Sequence, residues 1–196
     1  AFRYGIRKID GSEGDMTVRE EKTQFALPDK TIMWAQEYES TNSTGEYFAY
    51  EHAYERRDTE TLTSYQSLAM PVLYRVNNTE IYSIIAQSGL IGSGYYGSFL
   101  KVPDGQDGSG VLQTVHNPAG SALYDDKVAY PFESPWRLGI TGDLKTVEES
   151  ELVEKLYDDA EYWKPDDYET LSDEEKEIYN YDWVEPGACA WSWIYY

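Results

Sequence analysis

Acid–base catalysis, metal binding and nucleophilic attack draw on a short list of side chains, and this chain is rich in only one kind. It carries 36 Asp and Glu residues against two His and one Cys. Paired carboxylates are the chemistry of glycoside hydrolysis. One acid protonates the leaving oxygen, and a second carboxylate acts as base or nucleophile across the scissile bond. With carboxylates everywhere, no such pair can be picked out by spacing. His52 and His116 are far apart and lack a partner at helical metal spacing, so each reads as structural or solvated. Cys189 is alone, which excludes an internal disulfide framework and a cysteine zinc site, and it fits a reducing or an oxidising compartment. No nucleophile elbow, phosphate-binding loop, dinucleotide fingerprint or HExxH pattern occurs. The segment DGQDGSG at 104–110 lacks the EF-hand order and reads as a hairpin turn.

Charge narrows the partners. The formal net charge is 16 − 36 = −20, which argues against nucleic acid and anionic membrane surfaces, since both need a basic face. The simplest account of the acidity is a hydrated exterior. No apolar run approaches the roughly 18 residues of a membrane span. Nineteen Tyr, six Trp and five Phe make 15% of the 196 residues. Tyr and Trp join a large flat surface to a polar tip, which suits sheet faces and sugar-facing clefts alike, and cross-strand packing accounts for most of them.

The elements that would position any site are short strands. Phe2, Tyr4 and Ile6 alternate with polar neighbours, Met16 to Arg19 is extended, and Lys30 to Ala35 surrounds Ile32 and Trp34. Glu51 to Arg57 is ambiguous between extended chain and weak helix. The clearest hairpin is Pro71 to Gln87, turning at Asn77-Asn78-Thr79, because Asn tolerates positive φ. Its IYSIIA run is apolar on both faces, as in a central strand covered on each side. Tyr95 to Val102 and Gly110 to Val115 form another pair. In PFESPWRLGITGDLKTVEESELV (131–153), Trp136, Leu138 and Ile140 alternate with Arg137 and Gly139, a half-buried strand. A short helix follows, capped by Asp143 or Thr146, the latter at capping-box spacing from Glu149. Ser172 and Glu175 have the same spacing, so Asp173 to Tyr179 is a candidate surface helix within an acidic, tyrosine-rich segment. Many short strands with few helices spell an all-β sandwich.

Two motifs in order carry a family resemblance. SPWRLGITGDLKTVEESELV followed by WVEPGACAWSW resembles the end of the N-terminal domain of glycoside hydrolase family 97, with its "TPWR" strand, "GDL" turn, "ESxLV" helix, "WIKPG" and "AWSW". The spacing departs at one place, where about two dozen acidic-rich residues separate the halves. AFRYGIR and VREEKTQFALPD extend the likeness upstream.

The resemblance implies a mainly β fold: a galactose-mutarotase-like super-sandwich, that is, an antiparallel β-sandwich, with one short helix and the first strand of a (β/α)₈ barrel. It divides the chain into a sandwich at 1–156, an acidic insertion at 157–182, and a linker with the first barrel strand at 183–196. It implies hydrolysis of α-linked glucosides or galactosides in a parent enzyme that holds calcium, with the catalytic carboxylates on the barrel and none in this chain. The opening Ala1-Phe-Arg-Tyr reads like mid-strand, so a fragment is expected. The family brings a glutamate to the calcium on an "ITEA" strand; Ile85-Ala86-Gln87-Ser88 matches it, so Gln87 is the implied metal-site residue. Trp191 and Trp193, on the barrel strand, are the implied substrate-binding residues. The partners would be the sugar and the barrel itself, and the location periplasmic or extracellular. Two other readings stay open: a stand-alone carbohydrate-binding or adhesive sandwich, and an acidic interaction module.

Overall fold

A computed structural model describes residues 1–18, 20–38, 52–90, 97–116, 127–156 and 167–179. The chain divides into two compact units, Ala1–Asp158 and Asp159–Tyr196.

Among the described residues the first unit has thirteen strands: β1 (Gly5–Ile6), β2 (Gly14–Thr17), β3 (Gln24–Ala26), β4 (Ile32–Ala35), β5 (Glu55–Asp58), β6 (Ser67–Leu68), β7 (Val72–Arg75), β8 (Tyr82–Ser88), β9 (Ser98–Lys101), β10 (Val111–His116), β11 (Lys127–Tyr130), β12 (Phe132–Glu133) and β13 (Trp136–Gly142). A five-stranded antiparallel sheet runs β13-β8-β7-β4-β5, and a four-stranded one runs β3-β10-β9-β6. Two small ribbons, β1-β12 and β2-β11, complete the set. The fold is a β-sandwich.

The core sits between the two larger sheets. Met33, Ala35, Val72 and Ile85 from one sheet meet Leu68, Leu100 and Leu112 from the other, joined by Leu27, Leu62 and Val102. Alternation along β8 explains the two-sided apolar run. Ile85 enters this core, while Ile84 and Ala86 face the opposite way into a second cluster with Leu138, Ile140 and Val147. Leu152, Val153 and Leu156 pack over that outer face, so β8 is covered on both sides as its composition requires. The β7–β8 connection turns at Asn77 (φ 22°) and Asn78 (φ 49°). Beyond β4, Gln36 and Tyr38 hydrogen-bond the flanks of β6, so one continuous run of chain crosses from the first sheet to the second.

Two expectations need correction in detail, and one open alternative is decided. The single helix after β13 is two: α1 (Leu144–Glu148) and α2 (Leu152–Lys155). Glu149 leaves the helical region (φ −84°, ψ 3°), and the Ser150 hydroxyl accepts from the Leu152 amide, offering the backbone a local alternative to the helix ladder. The α1 cap is Asp143, whose carboxylate accepts from the Thr146 amide at 2.7 Å. The N-terminal run is strand only at Gly5–Ile6, with Phe2 bridging Arg137, and its apolar residues stay 39–45% exposed. Glu55–Asp58, left undecided by periodicity, is a strand, the last of its sheet among the described residues, and wholly charged.

In the second unit, α3 (Asp173–Glu177) forms where the Ser172/Glu175 spacing places it, with a complete capping box. Tyr168 and Tyr179 meet edge-on at 5.8 Å, and the Lys176 ammonium lies 5.5 Å from the Tyr168 ring. Small clusters of this kind hold a short acidic helix that has no buried face.

Candidate functional site

Gln87 and Arg137 are direct register partners on β8 and β13. Because Ile85 points between the sheets, Gln87 two residues on does too, and its partner Arg137 follows. Arg137 was expected on the polar side of a half-buried strand, yet its side chain is fully buried. A guanidinium cannot stay charged in such a place without compensation. Glu21, 8% exposed, provides it. Arg137 Nε donates to Glu21 Oε1 at 2.9 Å, and Nη2 donates to Oε2 at 2.7 Å, a two-pronged pair.

The third face of the guanidinium is turned to Gln87. Arg137 Nη1 donates to Gln87 Oε1 at 3.2 Å, and the Ser98 hydroxyl donates to the same oxygen at 2.8 Å. Gln87 Nε2 returns a hydrogen bond to the Ser98 carbonyl at 3.3 Å. On the far side, the Thr23 hydroxyl donates to Glu21 Oε1 at 2.6 Å and shares a hydrogen bond with the Tyr4 hydroxyl at 2.9 Å. Ser98 opens β9, and Thr23 lies against Thr114 of β10. The cluster therefore spans both sheets.

This geometry bears on the cation that Gln87 was expected to hold. Calcium takes six to eight oxygen ligands with free lone pairs. The Gln87 amide oxygen already accepts from two donors, one of them cationic. Among the described residues, no group of three or more His, Cys, Asp or Glu converges on a point. Gln87 as placed does not fit a calcium ligand. Trp191 and Trp193 lie outside the described residues. So does the side chain of His116, while the His52 carbonyl accepts from Gln36 Nε2.

Four exposed carboxylates outside this cluster have their ionisation shifted down. The backbone amides of Ser12, Thr146 and Ser172 lower Asp10, Asp143 and Glu175 respectively, and a hydrogen bond from Lys155 lowers Glu151. Each is fully exposed and stabilised as an anion, the opposite of the raised carboxyl that a glycosidase uses as its acid.

A concavity opens on the outer face of the five-stranded sheet, about 470 Å³ in volume. Trp34, Tyr54, Leu73 and Tyr82 line it together with Leu144 of α1. The Trp34 and Tyr82 rings lie 6.4 Å apart, tilted by 32°. An aromatic floor of this kind can stack against the C–H face of a flat apolar or sugar ring.

Sequence reasoning missed Glu21, Ser98 and Thr23, and it placed Arg137 on the wrong side of its strand. One signal was available: an arginine between Trp136 and Leu138 in an apolar strand must find a buried anion.

The family model described as Glycosyl-hydrolase 97 N-terminal covers residues 1–158. No curated protein matches the chain.

Proposed function

The chain belongs to the N-terminal domain family of glycoside hydrolase family 97, and from that membership we propose that it is the supporting domain of an enzyme hydrolysing α-linked glucosides or galactosides. The observation that carries this reading is the family match over the whole sandwich unit. In this role the sandwich packs against a catalytic (β/α)₈ barrel and closes one side of the substrate pocket. Trp191 and Trp193 would stack on the sugar, and the calcium ion that the resemblance implies would be held by ligands other than Gln87. A periplasmic or extracellular location goes with the substrate. In this reading the sandwich supplies rigidity and shape, and the acid and base belong to the barrel.

The experiment is a direct assay. The 196-residue chain should release no nitrophenol from nitrophenyl α-glucoside or α-galactoside, and it should bind a family 97 barrel supplied as a separate polypeptide. Turnover by the chain alone, or failure of the barrel to bind it, would count against the proposal.

A second reading, a non-catalytic carbohydrate-binding sandwich, is favoured by the Trp34–Tyr54–Tyr82 groove. Under it, soluble α-glucans should perturb the Trp34 indole resonance of the isolated chain, and Trp34→Ala should abolish binding.

A further inference from the structure

We propose that Gln87 is the neutral third member of a closed polar clasp, Glu21–Arg137–Gln87, which locks the two sheets together and leaves this position no capacity to ligate a cation. The inference stands on the contacts of these side chains and is independent of the enzymatic reading.

The direction of the amide carries it. In the observed orientation, the Gln87 oxygen faces two donors, Arg137 Nη1 and Ser98 Oγ, and its nitrogen faces an acceptor, the Ser98 carbonyl. Turning the amide by half a revolution would set its NH₂ against the guanidinium and the Ser98 hydroxyl, and its oxygen against the Ser98 carbonyl. The guanidinium contact and the carbonyl contact would then both pair like with like, since arginine can only donate and a carbonyl can only accept. The network thus admits one orientation. A cation bound to that oxygen at the roughly 2.3–2.6 Å typical of calcium would have to expel the Ser98 hydroxyl. It would also lie close to a guanidinium whose Nη1 is 3.2 Å from the same atom.

Charge balance points the same way. Glu21 and Arg137 neutralise each other through two hydrogen bonds with side chains 5% and 0% exposed. A neutral amide takes a hydrogen bond from the third guanidinium nitrogen without adding charge. A carboxylate at position 87 would place a second anion there and turn one oxygen toward the Ser98 carbonyl with nothing to donate to it. That arrangement would call for a cation, whereas the one present has no such need.

The test uses the side-chain N–H resonances of the ¹⁵N-labelled chain. Arg137 should show separated, slowly exchanging guanidinium signals, because three of its donor atoms are held. Millimolar calcium, at the weak end of protein calcium affinities, should move neither these nor the Gln87 amide pair. Gln87→Met, which keeps length and removes the acceptor, should free Nη1 and average its signals while the Arg137 Nε–H signal persists on Glu21. Calcium binding that leaves the Arg137 and Gln87 signals in place would support the proposal by locating the ion elsewhere. A calcium-dependent shift of the Gln87 amide together with loss of the Nη1 signal would overturn it, as would an unchanged Nη1 signal in folded Gln87→Met. The calcium titration uses the native chain, so the decision does not depend on the variant folding.

Discussion

Arg137 can be buried only because Glu21 is, and the two should be judged as a unit. Removing one partner from a buried ion pair leaves the other charge without compensation, at a cost of about 3–5 kcal/mol. Glu21→Gln should therefore lower the urea midpoint by an amount equivalent to about 3–5 kcal/mol, with an unchanged denaturant slope if unfolding stays two-state. Gln87→Ala removes a hydrogen-bond acceptor and no charge, so its cost should be about 1–3 kcal/mol. If equilibrium unfolding ranks Gln87→Ala as the more damaging change, the pair is not what holds this end of the sandwich. Period-two patterning assigned Arg137 to the solvent side because it treats charge as a marker of exposure. Burial of a charge depends on a partner 116 residues away in the chain. No local pattern singles out Glu21 from 36 acidic residues. The clasp was illegible for that reason, although each of its members stood in plain view.

Local chemistry was far more readable at the level of single elements. The turn at Asn77 and Asn78, the doubly covered β8 and the capping box of α3 each follow from neighbours a few residues apart, which is the range over which side chains steer the backbone. The break between α1 and α2 was not readable, because Ser150 and Glu149 are tolerable in a helix and only their hydrogen bonds decide. The cap of α1 makes a prediction about acid. Hydrogen bonding from Thr146 holds the Asp143 carboxyl below its ordinary value of 3.8, so the group binds protons less readily folded than unfolded. Its contribution is present above the unfolded value and is lost as pH falls through the lower folded one. Hydrogen exchange at the Thr146 amide, after correction for intrinsic rates, should accelerate in that acid window, and Asp143→Ala should abolish the dependence. An amide equally protected in native chain and variant would show that the packing of Val147 alone fixes this turn.

For the whole molecule, the dominant fact is a net charge of −20 on 196 residues. Like charges repel most strongly in the compact state, and salt screens them over a Debye length of about 10 Å at 0.1 M. The melting temperature should rise between low ionic strength and roughly 0.15 M salt, and sodium and potassium chloride should act alike. A fall over that range would mean that exposed ion pairs such as Lys155–Glu151 and Lys145–Glu149 outweigh the repulsion. At this scale the sequence was legible through its two ordered motifs, which placed the sandwich in the family that the full comparison identifies. The last strand of the five-stranded sheet among the described residues, Glu55-Arg-Arg-Asp58, adds something that net charge does not. Open sheets grow by accepting a further strand from another molecule, and growth of that kind requires the incoming chain to lie flat against the last strand. Here every side chain along that border carries a charge, with Arg57 tethered to Glu37 and Glu55 and Arg56 to Asp58. An approaching strand would have to dismantle those tethers and strip water from four ions. A border of this composition opposes the addition of a further strand.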